Sequence, residues 1–216
     1  MRDGIDAGHS QNKQDSQNSL RHVSIIIPVW KQETKLQTLL NDLKECEAEI
    51  ILSEEGSRAK SLNVGAEKAT RSILWFVHAD SRVTAENIQT LNTSLQQFPD
   101  ALHYFKLAFA EGGLKGGLSN INAQGANIRS SLISLPYGDQ ALCLSKKQFD
   151  LIGGYPENTP YGEDLLFVRL AKKRLIPIVE VSSYLVSSAR KYQTQGWVKT
   201  SLMHWYIMFK LLFKKI

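Results

Sequence analysis

Residues 74–83 read LWFVHADSRV. Four apolar residues, Leu74 to Val77, give way at once to His78, Ala79, Asp80, Ser81 and Arg82. An apolar run this short, closed by a polar turn, reads as a strand buried on both faces. Such a strand belongs inside a parallel sheet, and in open parallel sheets ligands bind beyond the carboxyl ends of the strands. His78 and Asp80 fall at that end. A carboxylate there can ligate a hard divalent cation, which can in turn bridge the phosphates of a nucleotide. Taken alone, the pair reads equally well as a surface turn, with Asp80 capping a helix that begins near Thr84.

The flanking sequence decides the fold class. VSIIIPVW (23–30) is an apolar, β-branched run closed by a proline, and EIILS (49–53) has the same character. Between them, ETKLQTLLNDLKEC (33–46) places Leu36, Leu39, Leu40 and Leu43 at helical spacing. A second helix carries Ala59, Leu62, Ala66 and Ala69 on one face. Thr84 can cap a third helix through Leu91 and Leu95. After Phe98 the rhythm changes: HYFKLAFAE (103–111) reads as a longer strand, and EGGLKGGLSN as a glycine-rich connection without the strand-GxGxxG-helix context of a dinucleotide site. ALCLS (141–145) is a short strand, FDLIGGYPENTPYG (149–162) a turn-rich loop and EDLLFVRLAKKRL (163–175) a helix. Buried strands alternating with amphipathic helices predict a mixed α/β fold, a mainly parallel sheet flanked by helices.

A chain of 216 residues suits one domain with a substantial core, and 43% hydrophobic with 22% charged content is ordinary for a globular protein. Residues 1–21 are polar and lack the apolar region of a signal peptide, so they read as a flexible leader on a protein that stays in the cytoplasm. Cys46 and Cys143 have no metal-ligand spacing, which argues against a zinc site or a disulfide framework. The net charge is +5. Six basic residues and no acid lie between Ala189 and Ile216, so the basic character belongs to the tail.

A second signal is YGEDLLF (161–167), where Asp164 opens a helix. It can be a general base, or simply a helix N-cap or a partner of the helix dipole. The ordered set VSIIIPVWKQE, RAKSLNVGAEKA, WFVHADSR, PYGDQALCLSKKQFDLIGGYPE, GEDLLFVRLAKK and SSARKYQTQGW resembles the family 2 glycosyltransferases of GT-A (Rossmann-like) fold. It looks closest to the arsenosugar-biosynthesis-type branch. The resemblance runs from Val23 to the C-terminus and implies a GT-A domain over residues 22–190, followed by a basic amphipathic C-terminal helix over 191–216.

What it implies is an inverting transfer of a sugar from a nucleoside-diphosphate sugar, a UDP-sugar in the first instance, to an acceptor hydroxyl. Asp164 matches the catalytic base, and its neighbour Glu163 completes the Glu-Asp pair. Asp80 matches the Mn²⁺ or Mg²⁺ ligand, with His78 in place of the first aspartate of the commoner DxD. Pro28 and Glu33 match the nucleotide loop after the first strand. Arg58 and Asn63 can face the nucleotide or be solvated and capping residues. Asp139 and Gln140 match a segment near donor and acceptor, or form a polar turn. Arg190 can approach the diphosphate or solvent.

One departure stands out. Family members follow the second strand with an Asp-Gly-Ser-type turn that binds the base, then a further helix and strand; here ILSEEGSRAKSLN passes almost directly from strand to helix. Glu54, or Glu55, would have to replace the base-binding aspartate. This departure supports an alternative reading, a catalytically silent GT-A module that binds a membrane or a partner.

The tail GWVKTSLMHWYIMFKLLFKKI combines bulky apolar residues, interface-favouring Trp197, Trp205 and Tyr206, and flanking lysines. Lys199, His204 and Lys210 interrupt it, which disfavours spanning. It is expected either to lie on an anionic membrane surface, where a lipid-linked acceptor would be met, or to pack on its own domain or a second subunit. Its charges flank the apolar segment instead of forming a stripe, which argues against nucleic acid.

Overall fold

The computed structural model of the chain describes residues 19–30, 34–109, 124–125, 127–128, 130–159 and 161–188. Glu33, Arg190, most of the leader and the amphipathic tail lie outside the described residues. In chain order the elements are β1 (Val23–Pro28), α1 (Leu36–Asp42), β2 (Glu49–Ser53), α2 (Arg58–Lys68), β3 (Ile73–Phe76), α3 (Ala85–Gln97) and β4 (Leu102–Phe109). A 3₁₀ turn (Gly138–Gln140) then leads to β5 (Cys143–Ser145), α4 (Lys146–Ile152), α5 (Glu163–Lys173) and β6 (Ile178–Ser187).

The six strands form one sheet in the order β2-β1-β3-β5-β4-β6. Strand β1 pairs in parallel with β2 on one side, Ile25 against Ile50, and with β3 on the other, Ile25 against Trp75. β5 runs antiparallel to both of its neighbours, and β4 pairs in parallel with β6. Five strands therefore point the same way, as the alternation of sequence predicts, and one reverses.

β1 is buried at all six positions because both of its faces are covered. Ile26 faces a cluster built by Ala59, Leu62 and Ala66 of α2, Phe149 of α4 and Phe167 of α5. Ile25 and Ile27 face the opposite cluster, with Leu39 of α1, Leu91 and Leu95 of α3, Trp75 and Phe105. Trp75 and Phe105 stack at 5.7 Å across the sheet. The result is the three-layer helix–sheet–helix arrangement of an α/β domain.

Thr84 caps α3 in a reciprocal capping box with Asn87, so Thr84, and not Asp80, starts that helix. Two elements differ from the reading of the sequence. Helix α4 occupies part of the expected loop: Ser145 and Gln148 form a capping box and Gly153 closes the helix at φ 92°. Strand β6 covers a stretch to which no strand was assigned from the residue pattern. The fold also begins before Val23, inside the expected leader. Leu20 is fully buried and its N–H bonds Cys46 O, while Arg21 pairs with Glu47. Both cysteines are buried and free. Among the described residues no helix is long and apolar enough to cross a membrane.

Candidate active site

β1, β2 and β3 run parallel, so their last residues, Pro28, Ser53 and Phe76, share one edge of the sheet. His78 and Asp80 follow β3 in a turn at that edge, closed by the Ser81 N–H donating to His78 O. Arg82 braces this turn from outside: its guanidinium holds both carboxylate oxygens of Asp42 at 2.7 and 3.1 Å, and its N–H donates to Val186 O. α2 starts five residues beyond Ser53, and because β5 is antiparallel, the 3₁₀ turn before it reaches the same edge.

These elements bring together residues far apart in sequence. Arg58, the first residue of α2, donates from Nε to Glu163 Oε1 at 2.5 Å and from Nη2 to Asp164 Oδ2 at 2.7 Å. The acids lie in the first turn of α5, after Gly162 in the left-handed conformation at φ 79°, so the helix dipole favours their negative charge. Gly138 packs directly on Asp164: a Cβ there would lie 2.6 Å from its carboxylate. Asp139 is close enough for its charge to raise the proton affinity of Arg58, an effect led by Asp164.

His78 completes the group. Burial, reinforced by the positive charge of Arg58, pushes its pKa down to about 3, so the ring is neutral near pH 7. Tyr155 was not singled out from the sequence, although the GGYPE turn contains it. Its ring stacks on Phe167 at 4.2 Å and meets Phe76 edge-on at 5.1 Å. Its hydroxyl is buried without a hydrogen-bond partner, and burial followed by the Asp164 charge raises its pKa.

Other expected residues serve different contacts. Asn63 holds the loop after α4, its Oδ1 accepting from Tyr155 N–H at 2.8 Å and its Nδ2 donating to Tyr155 O and Glu157 Oε1. Gln140 is fully buried: its Oε1 accepts from Ser130 Oγ and Tyr137 N–H, and its Nε2 donates to Phe105 O. Pro28 is buried at the end of β1 and Glu54 is exposed just after β2. Asp80 is half-buried. Among the described residues no group of three or more His, Cys, Asp or Glu side chains is assembled to hold a metal.

The arrangement places a carboxylate at a helix N-terminus beside a guanidinium and a neutral imidazole, at the ligand-binding edge of the sheet. Such a set can bind an anion and accept a proton.

No protein-family model matches the chain, and no curated protein matches it. Solved structures do. S. aureus TarS (residues 1–349) aligns with a TM-score of 0.57 at 16% identity, covering 77% of this chain and 60% of that one. The same protein in complex with UDP-GlcNAc aligns at 0.56. The mannosyltransferase PcManGT from Pyrobaculum calidifontis, in complex with GDP-Man and Mn²⁺, aligns at 0.55 and 13% identity, covering 78% of this chain and 57% of that one. The chain thus has the GT-A-like fold of these proteins and spans about three-fifths of their length.

Proposed function

We propose that the chain is an inverting glycosyltransferase of the family 2 type that moves a sugar from a nucleoside-diphosphate sugar to an acceptor hydroxyl. The observation that carries this reading is the convergence of Arg58, His78, Asp139, Glu163 and Asp164 at the carboxyl edge of a GT-A-like sheet. That two proteins of this fold hold UDP-GlcNAc or GDP-Man supports a nucleotide-sugar donor. The motif resemblance favours UDP and the arsenosugar-type branch.

In this mechanism the acceptor oxygen attacks the anomeric carbon. The new C–O bond forms as the bond to the diphosphate breaks, its electron pair leaves with the nucleoside diphosphate, and the acceptor proton passes to Asp164. Inversion follows from a single displacement. The N-terminus of α5 favours the negative charge of this carboxylate, and neutral His78 can donate or accept one hydrogen bond beside the diphosphate.

The donor set fits a metal that arrives with its substrate. Mg²⁺ and similar ions are commonly held by one or two carboxylates plus substrate phosphates, without a complete protein cage. Asp80 would hold Mn²⁺ or Mg²⁺, which supplies Lewis acidity to the leaving diphosphate. We place the enzyme in the cytoplasm, with its tail on the inner face of the membrane and a lipid-linked acceptor.

A second reading is a catalytically silent GT-A module. It is favoured by the passage from Ser53 to Arg58, which leaves exposed Glu54 as the residue for the nucleotide base. Release of nucleoside diphosphate from UDP- or GDP-sugars, offered with Mn²⁺ and a panel of polyprenyl and sugar acceptors, separates the two. The enzyme reading predicts release that is lost in Asp164→Asn. No release from any donor by folded protein, with Asp164→Asn indistinguishable, favours the silent module.

A further inference from the structure

The contact that joins α2 to α5 closes the proposed base. Arg58 Nη2 occupies Asp164 Oδ2 at 2.7 Å, while Oδ1 is buried without a hydrogen-bond partner. The Asp164 side chain is 8% exposed, with Gly138 against its carboxylate, whereas Arg58 is 37% exposed. An incoming hydroxyl would find one oxygen taken and the other sealed. Of the two side chains, Arg58 is the one that solvent, and therefore a dissolved anion, can reach.

We propose that Arg58 is a positioning residue that works as an anion-operated latch on Asp164: the diphosphate of a bound nucleotide draws the guanidinium off Oδ2, and this frees the carboxylate to accept the acceptor's proton. The inference rests on the nucleotide-sugar reading of the site. The exchange is feasible because a guanidinium binds phosphate oxygens as well as it binds carboxylates, with the same forked geometry.

Arg58 is shared between two carboxylates, Glu163 at 2.5 Å and Asp164 at 2.7 Å, and Asp139 from the 3₁₀ turn adds its charge to theirs. The diphosphate therefore competes with Asp164 for the guanidinium. By reciprocity, whatever weakens the Arg58–Asp164 contact must tighten nucleotide binding.

The test is calorimetric titration of the full chain with UDP and with GDP, each with Mn²⁺. The latch predicts tighter nucleotide binding in Asp164→Asn, whose neutral amide competes less well for the guanidinium, and weaker binding in Arg58→Lys, which keeps the charge without the fork. Nucleotide binding that is no tighter in folded Asp164→Asn than in wild type overturns the latch and leaves the nucleotide-sugar reading standing. No binding of either nucleotide overturns both. A crystal structure of the nucleotide complex gives an independent decision: Arg58 Nη2 out of hydrogen-bond range of Asp164 supports the latch, and the pair still at 2.7 Å overturns it.

Discussion

Arg58 and Asp164 stand 106 residues apart in sequence and 2.7 Å apart in space, and they tie the start of one helix to the start of another at the edge of the sheet. Removing one partner of such a pair strands a buried charge. Arg58→Gln would leave Glu163 and Asp164 facing each other without a cation. The loss for a wholly buried pair is about 3–5 kcal/mol. With the Arg58 side chain 37% exposed, about 2 kcal/mol is expected. Urea unfolding of wild type and Arg58→Gln checks this, and equal stabilities would contradict it.

Gly138→Ala tests the close approach to Asp164. Its added methyl would sit 2.6 Å from the carboxylate, which must then turn away from Arg58. Overpacking of this kind costs about 1–3 kcal/mol. Transfer activity should fall with that of Asp164→Asn while the circular dichroism spectrum stays native. Gly65→Ala is the matching control, because its methyl would clash with Ile26 in the core, far from any proton transfer. It should lower the melting temperature, with activity in the surviving folded protein unchanged.

His103 predicts an acid limb of stability. Its Nε2–H donates to Phe98 O at 3.0 Å, so Nδ1 accepts from Ser94 Oγ at 2.9 Å and the ring is neutral. Burial pushes its pKa down to about 4. A group with a depressed pKa binds fewer protons when folded, so its contribution is present above its unfolded value, near 6.5, and is lost as pH falls through about 4. The loss is on the order of 3 kcal/mol, and His78 adds to it in the same direction. His103→Gln, which cannot titrate, should flatten this limb in urea titrations between pH 7 and 4; an unchanged limb would refute the assignment.

Asn63 should behave as a structural clamp. Asn63→Asp would replace the amide that donates to Tyr155 O and Glu157 with a carboxylate that cannot, and it would face Glu157 with like charge. We expect a loss of about 1 kcal/mol, because the contact is half-buried and water can reach part of it. A drop in nucleotide affinity without a change in stability would instead place Asn63 at the ligand.

Much of this was legible in the sequence because local rules and tertiary needs coincide. Thr84 followed by Asn87 is a capping signal that the structure uses unchanged, and VSIIIP is apolar at nearly every position because both of its faces are covered. Helix α4 was obscured because GGYPE directly behind it is a strong turn signal, while its own start depends on the Ser145–Gln148 box. Gln140 in a polar turn looked available to a ligand; its partners, Phe105 O and Ser130, come from other elements and no local pattern announces them. The same holds for Arg58, whose carboxylates lie on a helix more than a hundred residues away. Asp80 and Asp164 could be named from the sequence, but that Asp164 is covered could not.

The central claim, that this edge of the sheet takes a nucleotide through a metal, is met most directly by measuring UDP and GDP binding by calorimetry with and without Mn²⁺, with Asp80→Ala as the control. The account predicts binding that requires Mn²⁺ and is lost in Asp80→Ala, with the preferred nucleotide naming the donor. Folded wild-type protein that binds neither nucleotide, or binds equally well without metal and in Asp80→Ala, would contradict it.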